Sequence, residues 1–514
     1  MKYVLSPTVG LRSWQLVPHA CYVQGDPYPQ HLGREVFELL SRCDGATELD
    51  ASAQLDRLAA AGVVHPAAEG ETWSAWSQPR SYDNRVFHSL NWAITGACNF
   101  NCRHCFMAAD NAPMMGSFTW DECLALLDGC ERCGVQSITL TGGEPLLHPR
   151  FMDIARECAR RGLTLSEINT NGSLVTAAML DEFTELGISP EIKVSYDGVG
   201  HHDWLRGVPH AEEKALEAMR LAKEKGFKVR AQTNVHHGNL DVMFDTVKLL
   251  DKMGVDEVRI IRTTETPRWR ENGGNATLGI VEHYDAMLDL MDRCIQADLA
   301  IAVDVWQFVY YRPAKGTYGY HPAQISCSRY RDSTPACKGA RGEIAVAYTG
   351  EVYPCNQLSG TCAALGMSFG NVKKTPLHDL LTGGAYYDTV MLPVSEIRRH
   401  NAACQDCQYW KTCAGGCRAI ATAFTKDYRH FDPAKCAFFK GGYMAKTDAL
   451  FERAARPYRC LCDVEGMDKT GEPEAMAQVV ARLGAYAQAN RARRARVRRA
   501  GVHKPGRNGV SAIL

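Results

Sequence analysis

The stretch S-L-N-W-A-I-T-G-A-C-N-F-N-C-R-H-C, Ser89 to Cys105, decides how this chain is read. A β-rich run, Ser89–Thr95, leads into a loop with three cysteines, Cys98, Cys102 and Cys105, separated by three and then two residues. Thiols this close can hold one polynuclear iron cluster, whose irons take thiolate ligands. An electron-transfer cluster would use a fourth cysteine, and none follows nearby. Three ligands leave one iron open to a small molecule, as a catalytic zinc site keeps a free position.

Downstream the strand–helix unit repeats. β-rich runs lie at Ser137–Thr141, Thr164–Ile168, Glu191–Ser195, Lys228–Val235 and Glu257–Arg262. The helical patterns between them stop at glycines, beginning with Gly134, where a left-handed C-cap costs a glycine nothing. Thr119 followed by Glu122 reads as a capping box that opens the first helix. Strands alternating with helices predict parallel pairing and right-handed crossovers. A partial (β/α) barrel and a doubly wound sheet both satisfy that pattern, and both gather function at the C-terminal ends of their strands.

The other chemistry-bearing residues fall at those ends. T-G-G-E-P follows the second run, with Gly142 and Gly143 allowing close approach to the backbone, Glu144 able to accept from an ammonium group, and Pro145. I-N-T-N-G, containing Asn171, follows the third, and V-S-Y-D-G, with Ser195 and Asp197, follows the fourth. Each alone would pass for a turn or a cap. Together, in strand order, they resemble the radical S-adenosylmethionine (SAM) superfamily. The resemblance implies a [4Fe–4S] cluster on Cys98, Cys102 and Cys105, its open iron chelating the amino and carboxylate groups of SAM. It implies reductive cleavage of SAM to a 5′-deoxyadenosyl radical. It further implies that Gly142–Pro145 bind the methionine amino group and that Ser195 and Asp197 meet the ribose, with Asn171 a further candidate. Where that family usually has an aromatic residue before the last cysteine, this chain has His104.

A second cysteine block begins at Cys337, which leads after twelve residues to Gly350 and after four more to Cys355. Cys404, Cys407, Cys413 and Cys417 follow with two, five and three residues between them, and Cys436 after eighteen more. This pattern resembles the SPASM extension, an auxiliary-cluster domain of radical SAM enzymes that modify peptides and proteins. The resemblance assigns Cys404, Cys407, Cys413 and Cys436 to a distal [4Fe–4S] cluster, and Cys337, Cys355 and Cys417 to a proximal one. For the fourth proximal ligand Cys327 is the first choice, Cys362 the second, and an open iron the third. A zinc knuckle is the alternative for the C-x-x-C pair. The two resemblances cover residues 88–440.

Length and composition frame the rest. A chain of 514 residues is too long for one core, so roughly two to four domains are expected. The expected division is an α+β module at 1–85, a partial (β/α)6 TIM-type barrel at 88–310, the cysteine-rich iron–sulfur part at 325–440, and a helical, basic tail at 441–514. Zero formal net charge gives no global field for nucleic acid or an anionic membrane. With neither a secretory signal nor a long apolar span, the expected compartment is the cytoplasm. There, 21 cysteines in clusters point to metal or redox chemistry more than to disulfides.

The first 85 residues resemble the small winged-helix peptide-recognition element of ribosomal peptide pathways, through strand–strand–helix order and F-E-L-L-S-R-C-D-G-A-T-E-L, Phe37 to Leu49. A Cys-Asp-Gly turn is expected between its two helices. In that family a leader peptide adds a strand to a sheet edge. The combined expectation is an enzyme that takes hydrogen from a ribosomally made precursor peptide and installs a cross-link such as a thioether. A flavodoxin- or ferredoxin-type donor would supply its electrons. Anaerobic sulfatase maturation, which makes formylglycine, is the rival enzyme. Asn356 after Cys355, where that family commonly has an aspartate, counts against it. A non-catalytic electron-transfer or zinc scaffold would leave G-G-E-P and S-x-D-G unexplained.

Overall fold

The computed structural model describes residues 1–108, 114–321, 332–340 and 342–453. Cys327 and the arginine-rich tail expected to be helical lie outside the described residues. Among those described, no helix is long and apolar enough to cross a membrane.

Six strands fall where the β-rich runs predict them: β1 (Ser89–Thr95), β2 (Ser137–Gly142), β3 (Thr164–Thr170), β4 (Glu191–Ser195), β5 (Val229–Val235) and β6 (Glu257–Arg262). They pair in sequence order, all parallel. A seventh strand, β7 (Ala302–Val305), continues the parallel run beside β6. β8 (Val309–Arg312) and β9 (Thr317–Tyr320) extend that edge antiparallel. At the other edge β10 (Glu343–Val346) pairs parallel with β1 and antiparallel with β11 (Val352–Tyr353). One eleven-stranded sheet therefore joins the barrel to the start of the cysteine-rich part.

Crossover helices cover the strands: α1 (Trp120–Cys133), α2 (Phe151–Arg161), α3 (Ala177–Glu185), α4 (His202–Arg206), α5 (Ala211–Glu224), α6 (Met243–Lys252) and α7 (Ile280–Gln296). The capping box forms as predicted: Glu122 N–H donates to Thr119 Oγ1 at 3.3 Å, and Thr119 N–H donates to Glu122 Oε2 at 2.8 Å. Gly134 closes α1 at φ +74°.

Period-two alternation sorts the strand side chains. Leu90, Trp92, Ile94, Ile138, Leu140, Ile192 and Val194 are buried in the main apolar core. The polar positions form a charged ladder: Lys193 pairs with Glu167, Arg230 Nε lies 2.7 Å from Glu191 and 3.0 Å from Glu257, and Arg259 lies 3.1 Å from Asp304. Burial raises the Glu167 carboxyl, but Lys193 and Arg230 more than offset it and hold it at about 2.

Ahead of the barrel stand two small sheets. One has the order Asp44–Glu48, Lys2–Leu5, Val64–Pro66; the other Gln30–His31, Ala20–Val23, Val9–Ser13, Arg80–Ser81. With helices Arg34–Ser41 and Ala53–Ala60 they enclose a separate core including Val9, Leu11, Val36, Leu40, Leu55 and Leu58. Where a Cys-Asp-Gly turn is expected, Asp44–Glu48 is an edge strand. The turn chemistry is still present, because the Asp44 carboxylate accepts from Ala46 N and Thr47 N.

This module seats on the barrel through Trp14. Its indole Nε1 donates to Cys133 O at 3.0 Å, and its ring stacks on Tyr82. Cys133 ends α1 just before β2 begins. The module therefore sits at the N-terminal rim of the strands, the end opposite the loop that follows β1.

Candidate functional site

The loop after β1 is held by backbone on both sides. Gly143 N–H donates to Thr95 O and Glu144 N–H to Ala97 O, each at 2.8 Å. A Cβ on Gly142 would come within 2.4 Å of Thr95 O, and one on Gly143 within 2.3 Å of Ala97 O. The paired glycines therefore let the end of β2 press against the base of the cysteine loop. This is a more local reason for them than the expected approach of a ligand. From the far side, Asn101 N–H and Arg103 N–H donate to Arg206 O and Leu205 O of α4.

The three loop thiols come together: Cys98 feels both Cys102 and Cys105 electrostatically. Burial pushes the Cys98 thiol up to about 11 and raises Cys102 as well. Among the described residues no three Cys, His, Asp or Glu side chains converge closely enough to hold a single metal ion.

Glu144 is fully buried. Its oxygens accept from Thr170 Oγ1 at 2.8 Å, Asn171 N at 2.7 Å and Leu146 N at 3.2 Å. Burial pushes its carboxyl up to about 7, and among the described residues no cationic side chain pairs with it. A buried carboxylate without a cation is the partner an ammonium group requires. Pro145 opens the tight turn Pro145–Leu147 that presents it. Asn171 links this corner to the loop, its Nδ2 donating to Asn99 Oδ1 at 2.8 Å. Ser195, at the end of β4, is half-buried.

Asp197 is placed differently from expectation. It is fully buried, with Oδ2 accepting from Arg206 Nε at 2.6 Å and lying 3.1 Å from His202 Nδ1, while Oδ1 accepts from Asn234 N at 2.9 Å. Both of its oxygens are engaged by Arg206 and Asn234 within the protein. Arg206, which sequence reasoning passed over, also directs Nη1 at Cys102 Sγ, 3.7 Å away. An arginine at a helix C-terminus is ordinarily a solvated partner of the dipole, so nothing in H-D-W-L-R-G distinguishes a buried one.

The second cysteine block separates into two groups. Cys355 feels Cys337 and Cys417. Cys404 feels Cys407 and Cys436, and Cys413 feels Cys404. Cys362 is buried in the helix Asn356–Ala364, within electrostatic reach of Cys337. Two buried charges stitch the loops that carry these thiols. Asp432 accepts from Cys417 N and Lys435 N, and the Arg418 guanidinium donates to the carbonyls of Gly415, Gly416, Tyr428 and His430.

Comparison with known proteins agrees with this arrangement. The model of the radical SAM superfamily matches residues 92–260, and that of the SPASM iron–sulfur cluster-binding domain matches residues 337–408. An AdoMet-dependent heme synthase of Methanosarcina barkeri is 27% identical over 348 residues, 67% of this chain and 95% of that protein. A PqqA peptide cyclase of Granulibacter bethesdensis is 24% identical over 352 residues, 67% of this chain and 85% of that protein. The crystal structure of Streptococcus suis SuiB bound to precursor peptide SuiA shares the fold, with TM-score 0.60 and 14% identity over 84% of this chain and 99% of that one. The chain is therefore a radical SAM enzyme with a SPASM iron–sulfur domain, and SAM and [4Fe–4S] clusters are its cofactors.

Proposed function

We propose that the enzyme modifies a ribosomally made precursor peptide, forming a cross-link such as a thioether, and that residues 1–85 bind the leader. The observation that carries this reading is the N-terminal module, with its own core and open sheet edges, seated on the barrel. An extended segment can add to such an edge through main-chain hydrogen bonds alone. In this reading residues 88–310 form the catalytic barrel and 325–440 hold the auxiliary clusters.

SAM and the cluster on Cys98, Cys102 and Cys105, when bound, supply one-electron chemistry strong enough to remove hydrogen from an unactivated carbon. The chain supplies placement. Glu144 receives the methionine ammonium, Ser195 the ribose, and Asn171 holds Asn99 and the loop in register. Cys404, Cys407, Cys413 and Cys436 would hold one auxiliary cluster. Cys337, Cys355 and Cys417 would hold the other, with Cys327 or Cys362 as fourth ligand. A flavodoxin- or ferredoxin-type protein would deliver the electron.

Seating at the strands' N-terminal rim gives this reading a geometric consequence. The barrel is about 20–25 Å tall for seven-residue strands. An extended chain spans at most about 3.5 Å per residue. The leader and the first modified residue should therefore be separated by at least about seven residues.

The test is anaerobic incubation of reconstituted enzyme with SAM, a reductant and short cysteine-containing peptides encoded beside its gene. A loss of two hydrogens, located by tandem mass spectrometry, supports the reading; SAM cleavage without any peptide change counts against it. The 27% identity to a heme synthase motivates a second reading, oxidation of a tetrapyrrole side chain. Iron coproporphyrin in place of peptide tests it in the same assay.

A further inference from the structure

Arg206 is buried between two partners of different kinds. Its Nε is committed to Asp197, and its Nη1 points at Cys102 Sγ. The side chain is 9% exposed and Asp197 not at all, so water does little to screen either charge. The Asp197 carboxylate is itself anchored by Asn234 N–H, and the Asp197 backbone N–H donates to His202 Nδ1. The α4 backbone that carries Arg206 is bonded to the cysteine loop at Asn101 and Arg103. At the next residue, a Cβ on Gly207 would come within 2.5 Å of Asn101 O, so helix end and loop are in backbone contact. The guanidinium thus has little freedom relative to the Cys102 sulfur.

We propose that Arg206 is a positioning residue that sets the reduction potential of the cluster on Cys98, Cys102 and Cys105, raising it through a charge-assisted N–H to Cys102 Sγ, with Asp197 fixing its aim and partly offsetting its charge. The inference rests on the assignment of those three cysteines as ligands. Reduction adds an electron to the cluster and its thiolates. A donor and a cation at one ligand sulfur stabilise the reduced state more than the oxidised one, and hydrogen bonds to the sulfurs and net charge are established determinants of cluster potential. Asp197 acts in the opposite sense. Replacing the arginine should therefore make reduction harder, and neutralising the aspartate should make it easier. A purely structural role would move both variants in the same direction.

The experiment is an anaerobic redox titration of reconstituted full-length protein, following the reduced electron paramagnetic resonance component that changes on adding SAM. Arg206→Gln, which keeps a donor but loses the charge, should lower the reduced-to-oxidised ratio at fixed potential about tenfold, a shift of about 59 mV for one electron. Arg206→Lys should recover part of it, since the charge returns without the planar fork. Asp197→Asn should shift the ratio upward. An unchanged potential in Arg206→Gln, or a downward shift in both Arg206→Gln and Asp197→Asn, overturns the proposal. The triple variant Cys98→Ala, Cys102→Ala, Cys105→Ala should lack the SAM-responsive component. Its survival there would overturn the ligand assignment, and the inference with it.

Discussion

The two cysteine-bearing regions are built on opposite principles. The Cys98 loop is mounted on a barrel whose strands and helices close a continuous apolar core. Its thiols add nothing that the barrel needs in order to fold. Whereas Cys417, Ala419, Tyr428, Phe438 and Phe439 join the main core, the stretch before them, from Cys404 to Cys413, rests on shorter pieces of structure. Its helices Ala402–Gln405 and Trp410–Cys413 are four residues each, and its local apolar cluster of Ala336, Val394, Ile397, Cys404, Trp410 and Ala414 includes one of the proposed ligands. Helices that short are unstable alone. Where metal sites replace a core, binding free energy becomes folding free energy.

The sharpest break of this contrast is iron removal. Chelation under reducing conditions should leave β1–β6 protected against hydrogen exchange while amides from 402 to 416 exchange at nearly unprotected rates. Equal protection in both regions would mean that the cysteine-rich fold stands without metal. The second effect is catalytic and confined to the barrel. Cys105→Ala should abolish SAM cleavage, read as 5′-deoxyadenosine formed, while iron falls only from about three clusters per chain to about two. Loss of all iron, or cleavage at the wild-type rate, would contradict the division of labour.

The same contrast governs what could be read from the sequence. The barrel strands were legible because hydrophobic runs and stop-glycines are local signals, and the loop motifs because they sit at strand ends. β7 was missed: A-V-D-V is too short to stand out until β6 supplies its partner. D-G at the start of the edge strand Asp44–Glu48 predicts a turn, and pairing to Lys2–Leu5 wins over that local preference. The grouping expected of the second block's thiols comes from the family resemblance that their spacing carries. Spacing could not foretell Asp432, Arg418 or Arg206. A buried charge is specified by the carbonyls and carboxylates around it, which come from several distant segments.

Glu144 gives a third, smaller effect with a definite sign. Burial raises its carboxyl to about 7 in the SAM-free protein, so it is increasingly protonated below that pH. Only the carboxylate attracts the methionine ammonium. SAM affinity should therefore weaken as pH falls from 8 to 6, by up to about tenfold per unit once below the raised value. The stabilisation that SAM confers in thermal unfolding should shrink over the same range. Glu144→Gln should bind SAM more weakly at pH 8 and lose the pH dependence. A variant that kept the wild-type slope would assign it to another group.

The N-terminal module lies between the two extremes, with a core of its own and no proposed metal, and its seam with the barrel gives the smallest effect. Cys133 O accepts from Trp14 Nε1 at 3.0 Å and also from Asn84 Nδ2 at 3.1 Å. Trp14→Phe removes one donor but leaves that carbonyl satisfied and keeps an aromatic ring against Tyr82. The lost hydrogen bond alone should cost about 0.5–1.5 kcal/mol, and the volume lost from the buried indole adds to it. The hydrogen-bond part alone corresponds to roughly two- to tenfold faster exchange of seam amides such as Val135, exchanging by local undocking. Amides within the module's own core, such as Leu40 and Leu58, should keep their protection, because none of their packing is touched. If they lost protection in step with the seam, the module would be an extension of the barrel's cooperative unit, and a leader bound to it would report directly on barrel stability. If only the seam responded, the module would be an independently folded reader seated on the catalytic body, as the peptide proposal requires.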